Sequence, residues 1–432
     1  MSRFRRFPTS LSQRHTLATA AVVLFGLVYG IRLARSNSNR AVPDGRPTPA
    51  TPAQRTQAAA RLPLDLRHPT VEGGRYVVRR PTDLAMLTLE PRIQEAAARV
   101  MNTYQVPFGA LVALDPHTGR VLAYVSHSSD EPTVQDLALD ASPPAASVFK
   151  VVTSAALLDA GVTPDTKTCY RGGLHRIDER ELVDNPALDT SCVSLATALG
   201  GSLNTVFGKL ALKHLKPEGL RAAGEMFQFT KTIPFDVDTT ASTLDVPSER
   251  LEFARTAAGF WHSTMSPLHG AVMAAMVANG GKLVRPYVVQ AWVDADGRST
   301  PSPHAQSAGS SAVQVLKPHV AHSLAAMMEK TVTEGTSRSA FYSPKGEPFL
   351  RATRVAGKTG SLSTAEPYRA YSWWVGFAPI DRPTIALAAL IINGPKWRIK
   401  SSYLARVVLQ AALSTPKAPP SQPNAAVAPA AN

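Results

Sequence analysis

Cysteine is nearly absent from this chain, whose 432 residues hold only Cys169 and Cys192. Two thiols with no histidine at ligand spacing make no metal site, and they exclude the disulfide-dense scaffolds of small secreted domains. A disulfide between them and a pair of free thiols both stay open, because spacing does not report Cα separation. Such scarcity fits an envelope protein. Acidic residues are scarce at one end: residues 1–80 contain fourteen Arg, no Lys and three acids, giving that segment +11 of the formal net charge of +14. The rest of the chain is near neutral and carries no basic stripe interleaved with aromatics, which excludes nucleic acid as a partner.

Long hydrophobic runs are missing too, with one exception at residues 16–31. Arg3, Arg5, Arg6 and Arg14 precede it, and Arg32 and Arg35 follow. With Leu33 and Ala34 it reaches the roughly 17 to 25 residues that cross a bilayer. A cleaved signal peptide is the competing reading, but no clear small-x-small cleavage site follows the run. The expected organisation is a short cytoplasmic N-terminus at 1–15 and a retained anchor at 16–34. A Pro/Ala/Arg-rich linker and short lead-in follow at 35–87, then one domain at 88–414 and a disordered tail at 415–432. Flanking charge is too even to orient the anchor.

Within the domain, apolar content of 44% supports a sizeable core. Helical spacing after Pro91 gives Ile93, Ala96, Ala97, Val100 and Met101 one face. Residues 109–114, a turn at 115–119 and residues 121–125 read as a hairpin. Residues 163–189 read as irregular and charged, and 295–314 as a loop rich in Ser, Pro and Gly. Helices are expected near 204–214, 254–278 with a break at Ser266-Pro267, 320–333 and 403–413. Strands are expected at 353–356, 373–378 and 384–392. Strands at both ends with helices between predict an α/β or α+β domain, its sheet completed by distant segments.

The stretch Ala145-Ala146-Ser147-Val148-Phe149-Lys150 organises the chemistry. Pro143-Pro144 cannot lie inside a helix and the apolar run after Ser147 can, so Ser147 falls near a helix N-terminus, where the macrodipole favours a developing oxyanion. Residues three apart share a helix face, so Lys150 reaches that oxygen. A buried lysine without a carboxylate partner tends to a lowered pKa, the property a general base needs. Alone, Ser-x-x-Lys arises by chance about once in a few hundred residues.

Two further motifs follow in order, Ser202-Leu203-Asn204 and Lys358-Thr359-Gly360-Ser361, the second at the end of a strand-like run. Alone, the first would cap a helix and the second would be a solvated turn. With Ser147 and Lys150 they resemble the penicillin-binding transpeptidase family, for which this trio is a signature. The resemblance covers roughly residues 88 to 412. It extends to Leu89-Glu-Pro-Arg-Ile-Gln94, Thr264-Met-Ser-Pro-Leu268, Ala278-Asn-Gly-Gly281 and Trp374-Val-Gly-Phe-Ala-Pro379. Gly259-Phe-Trp-His262 departs from the Gly-Gln-Gly segment of many members.

The resemblance implies a mainly antiparallel sheet, formed by N- and C-terminal strands of the domain and flanked by an all-helical part. It implies no metal and no cofactor. Ser147 is then the nucleophile of a D,D-transpeptidase and Lys150 its base. Ser202, helped by Lys358, relays a proton, and Asn204 holds Lys150 and the substrate amide. Lys358, Thr359, Gly360 and Ser361 bind the terminal carboxylate, while the N–H groups of Ser147 and Ser361 form the oxyanion hole. Implied partners are peptidoglycan stem peptides, β-lactams and a glycosyltransferase or other cell-wall synthesis protein, with the domain outside the cytoplasmic membrane. D,D-carboxypeptidase, β-lactamase and a non-catalytic sensor or scaffold are the alternatives. Glu181 and Asn185 resemble a deacylating motif, but they precede Ser202 where they should follow it.

Overall fold

The computed structural model describes residues 64–130, 135–173, 176–310, 312–351 and 353–414. The expected anchor at 16–34, most of the linker and the tail at 415–432 lie outside the described residues. Among the described residues, no helix is long and apolar enough to cross a membrane.

Strands of three residues or more are β1 (Thr70–Glu72), β2 (Arg75–Arg79), β3 (Asp83–Leu87), β4 (Phe108–Leu114), β5 (Val121–Ser128), β6 (Lys167–Tyr170), β7 (Ser191–Ser194), β8 (Val289–Asp294), β9 (Ser299–Pro301), β10 (Ala356–Ala365), β11 (Tyr368–Ala378) and β12 (Ile385–Asn393). Helices of seven residues or more are α1 (Pro91–Thr103), α2 (Lys150–Asp159), α3 (Leu195–Gly201), α4 (Asn204–His214), α5 (Pro217–Met226), α6 (Arg250–Ala257), α7 (Pro267–Ala278), α8 (Pro318–Thr333) and α9 (Ser401–Leu413).

The central sheet runs in the order β10-β11-β12-β4-β5, antiparallel throughout. Its middle strands have no polar face, because both of their faces are covered. In β4, Ala110, Val112 and Leu114 join the core formed with α2 and α7, while Leu111 and Ala113 join the core formed with α1 and α9. β12 alternates in the same way, with Ala386, Ala388 and Leu390 on one side and Leu387, Ala389 and Ile391 on the other. β10 lies at the sheet edge and pairs along its length with β11 alone.

Four expectations change here. The lead-in contains β1, β2 and β3, which form a second sheet in the order β1-β2-β3-β8-β9. The second sheet thus begins at Thr70, and the pairing partner of β3 lies some two hundred residues on, beyond any local signal. The loop expected at 295–314 carries β9 and a short helix, Pro303–Gln306, and the segment 163–189 carries β6 and the short helix Glu179–Leu182. Lys358-Thr359-Gly360-Ser361 lies inside β10, not at the end of a strand, since Gly and Ser weaken the strand signal without preventing pairing to an apolar neighbour.

Cys169 and Cys192 face each other across the β6–β7 pair and are joined by a disulfide. Beneath it, Asp189 accepts from Arg171 and Lys209, each at 2.5 Å, and its carboxyl falls to about 2. Burial opposes that fall, while the Asn185 N–H and the two cations drive it.

His269, buried on α7, sits between the Phe227 carbonyl, 2.6 Å from Nε2, and Ser242 Oγ, 2.7 Å from Nδ1. A carbonyl only accepts, so Nε2 carries the proton and Nδ1 accepts from Ser242. Burial lowers the imidazole to about 4. Between pH 4 and the unfolded value near 6.5, the unfolded chain takes up a proton that the folded chain refuses. Stability from this group is thus full above pH 6.5 and is lost as pH falls toward 4, by on the order of 3 kcal/mol. Chemical denaturation at pH 7 and pH 4.5 is expected to show His269→Gln losing that much less on acidification than the parent. Equal losses would rule the residue out as an acid-sensitive point.

Candidate active site

Proline placement and edge bonding build the turn that carries Ser147. Pro143 O accepts from Met265 N–H, Ala145 N–H donates to Ser263 O, and Trp373 Nε1 donates to Pro144 O. The chain is thus clamped between the segment before α7 and strand β11 before it turns. Ala146 follows with φ 51°, and a 3-10 turn at Ala146–Phe149 leads into α2. α2 therefore begins at Lys150, slightly later than its apolar pattern indicates. Left-handed φ at a non-glycine residue is a local cost that the clamp must sustain. Gly259 packs against this turn, and a Cβ there would stand 2.3 Å from Ala146 O, so only glycine fits.

Lys150 is fully buried, and its Nζ lies 2.8 Å from Ser147 Oγ, 2.7 Å from Asn204 Oδ1 and 2.6 Å from the Ala258 carbonyl. Burial lowers this amine well below its ordinary value, and the nearby Lys358 ammonium lowers it further. A neutral amine has two hydrogens and one lone pair. Asn204 and Ala258 offer fixed acceptors for the two hydrogens, which leaves the lone pair for the Ser147 hydroxyl. That arrangement can take a proton from Ser147.

Ser202 caps α3 in the left-handed region at φ 58°, which turns its hydroxyl back toward β10. Lys358 Nζ donates to Ser202 Oγ at 2.9 Å and to the Thr359 carbonyl at 2.8 Å. Burial alone lowers Lys358 to about 7, so it changes charge near neutrality. Asn204 opens α4 one short step beyond Ser202. The three motifs thus arrive from α2, the α3–α4 junction and β10, segments separated by up to two hundred residues.

They line one cavity of about 400 Å³. Ser147, Ser202, Asn204, Thr359 and Ser361 all contribute to its wall, and no aspartate or glutamate does. Gly360 lies behind the wall, where a Cβ would meet Val148 and the Ala145 carbonyl at 3.1 and 3.2 Å. Thr336, from the segment after α8, also lines the cavity, and its Oγ1 lies 2.5 Å from Thr359 Oγ1. Sequence reading missed Thr336, Phe260, Ser372 and the Lys400-Ser401-Ser402 segment. Only the serine pair opening the last apolar helical pattern left a trace, and that trace marks a helix start, not a place in the fold. In the divergent segment, Phe260 lines the cavity and Trp261 is 52% exposed. His262 pairs with Glu252 at 2.9 Å. Glu181 is bonded at 3.0 Å to the N–H of Asp178 as a helix cap, and neither it nor Asn185 reaches the cavity. Among the described residues, no cluster of metal ligands occurs.

Residues 109–411 match the family model of the penicillin binding protein transpeptidase domain. That span is well over half the chain, and the protein belongs to this family of serine D,D-transpeptidases. Peptidoglycan D,D-transpeptidase PbpA of Mycobacterium tuberculosis is 27% identical over 341 residues, covering 71% of this chain and 67% of that protein. The PbpA of Mycolicibacterium smegmatis is 28% identical over 343 residues, with the same coverage, 71% and 67%. Among solved structures, the ceftriaxone acyl-enzyme complex of M. tuberculosis penicillin-binding protein A superposes with a TM-score of 0.61 at 25% identity, over 76% of this chain and 79% of that one. The D,D-transpeptidase domain of a peptidoglycan glycosyltransferase from Eggerthella lenta gives 0.61 at 25% identity, over 76% and 82%.

Proposed function

We propose that this protein cross-links peptidoglycan stem peptides through an acyl-enzyme on Ser147, and that β-lactams acylate the same oxygen. The observation that carries this reading is the buried Lys150 amine, held by Asn204 and Ala258 with Ser147 Oγ at 2.8 Å. Lys150 takes the Ser147 proton as the oxygen attacks the carbonyl carbon of the penultimate D-Ala. N–H groups of Ser147 and Ser361 receive the oxyanion, each worth about 3 kcal/mol. The C–N bond to the terminal D-Ala breaks, and Ser202, recharged by Lys358, protonates the departing amine. An acceptor amine then attacks the ester and gives up a proton to Ser202 and Lys358, while Lys150 returns its proton to Ser147 Oγ as that oxygen leaves.

Substrate binding follows from the edge position of β10. An extended peptide can add to an open sheet edge through its backbone, with its carboxylate against Lys358, Thr359 and Ser361. An acid-free cavity wall supports slow hydrolysis of the ester, because a deacylating water needs a base beside it. That favours acyl transfer over β-lactamase action. The same reading has the domain working outside the cytoplasmic membrane, tethered by residues 16–34, beside a glycosyltransferase or other cell-wall synthesis protein.

Incubation with a labelled penicillin, intact-mass measurement and a chase tests it. A long-lived adduct on Ser147 is expected. Rapid loss of the adduct would make the protein a β-lactamase, and no adduct on folded protein would overturn the acyl-enzyme altogether.

A further inference from the structure

Phe260 puts an aromatic ring into a cavity wall that it shares with Ser147, Ser202, Asn204, Thr359 and Ser361, and it takes no part in the proton transfers. Its backbone lies next to the nucleophile. A Cβ on Gly259 would stand 3.1 Å from Ser147 Cα, and the Ala258 carbonyl accepts from Lys150 Nζ at 2.6 Å. Residues 258–260 thus border the Ser147–Lys150 pair, and of the three only Phe260 has a bulky side chain.

The ring is held in place from both sides. Gly259 N–H donates to the Thr256 carbonyl and Phe260 N–H to the Arg255 carbonyl, which ties the segment to the end of α6. The Phe260 carbonyl accepts from His262 N–H at 2.5 Å, closing a three-residue turn with Trp261 at its apex, φ 39°. His262 Nε2 lies 2.9 Å from Glu252 on α6, and the His262 carbonyl accepts from Asp245 N–H at 2.8 Å. Left-handed φ at a tryptophan is a local cost, and these bonds sustain it. They also occupy Glu252, which pairs with Arg255 at 2.7 Å and does not line the cavity.

An ester on Ser147 has two fates. An amine entering past Ser202 and Lys358 bonds to the acyl carbon, gives its proton to that pair, and displaces Ser147 Oγ, which Lys150 reprotonates. A water beside Lys150 could do the same to the ester: its oxygen bonds to the acyl carbon, Lys150 hands its proton to the leaving Oγ and takes one from the water, and a free acid departs. Such a water would have to lie along residues 258–260, and holding it there takes about two to four polar partners. A phenyl ring offers none. We propose that Phe260 closes the water approach beside Lys150 and so sets how the acyl-enzyme divides between transfer to an amine and hydrolysis. This deepens the transpeptidase reading of the same cavity and rests on it.

The test follows decay of the penicillin adduct by intact mass after excess label is removed. Decay of an adduct already formed depends neither on the acylation rate nor on the fraction of protein that folded. Phe260→Gln is expected to shorten the half-life about tenfold and Phe260→Ala severalfold, while Phe260→Leu keeps it within about twofold. Trp261→Gly takes the same φ without strain and leaves the half-life near that of the parent. With an amine-blocked pentapeptide donor and an acceptor peptide bearing one free side-chain amine, the ratio of cross-linked to hydrolysed product falls in Phe260→Gln by a factor similar to the loss of half-life. Unchanged half-lives in Phe260→Gln and Phe260→Ala overturn the proposal. So does a loss in Phe260→Leu equal to that in Phe260→Gln, which would make the ring mere packing, or an equal loss in Trp261→Gly, which would move the barrier to the indole. A parent that takes up penicillin while the Phe260 variants change nothing keeps the transpeptidase and loses the barrier, whereas folded parent without an adduct loses both.

Discussion

Ser147→Ala is expected to take up no penicillin, with acylation falling by on the order of 10⁴-fold or more, while the protein stays folded. The oxygen is the bond-forming atom, and no nearby group replaces it. Ser202 holds the next hydroxyl in the cavity, but it is bonded to Lys358 and lacks the contact with the lowered Lys150 amine. The structural role of Ser147 Oγ is one hydrogen bond shared with Lys150, so the loss of stability should stay within about 1 kcal/mol. Intact mass after incubation and a thermal melt measure the two halves. An adduct of unchanged yield on the Ala variant would move the nucleophile elsewhere.

Lys150→Gln carries the second large effect. A side-chain amide can still bond with Asn204 and Ala258, but it cannot accept a proton, so acylation should drop by about 10² to 10⁴-fold. The pH profile separates this loss from mere misplacement. Burial and the Lys358 charge hold Lys150 well below its ordinary value, which favours the free base that accepts the proton. As pH falls through that lowered value the amine protonates, and the parent rate should fall with it. On the other side, Lys358 loses its charge above about 7, and with it part of the hold on a carboxylate. The parent kcat/KM for a carboxylate donor should therefore be bell-shaped. In Lys150→Gln the acid limb should vanish while the alkaline limb persists. An acid limb kept in the variant would assign it to another group.

The chemistry was more legible in the sequence than its housing. Ser147 and Lys150 lie three residues apart in an apolar run, and that spacing fixes their meeting whatever the rest of the fold does. The β4–β5 hairpin and α1 are local in the same sense. By contrast β3 pairs with β8, and β10 becomes an edge strand only because β11 pairs with it and the Ser147 turn lies close by, near Gly360. Neither relation has a period or a turn residue to betray it. Thr336 and Ser401 were invisible for a related reason: each is a small polar residue whose meaning comes from a partner on another element, Thr359 and Ser372.

The order of the central sheet also bears on synthesis. β4 and β5 leave the ribosome early, but β4 acquires its inner neighbour only when β12 arrives, more than 250 residues later. Long-range pairings of this kind form late and slowly. Lys358, Thr359 and Ser361 arrive on the same late segment. A nascent chain thus carries its nucleophile for most of translation without a substrate cleft around it, and acquires reactivity only as the last strands close the sheet. Covalent capture by a penicillin consequently dates the completion of folding in this protein, not the emergence of Ser147.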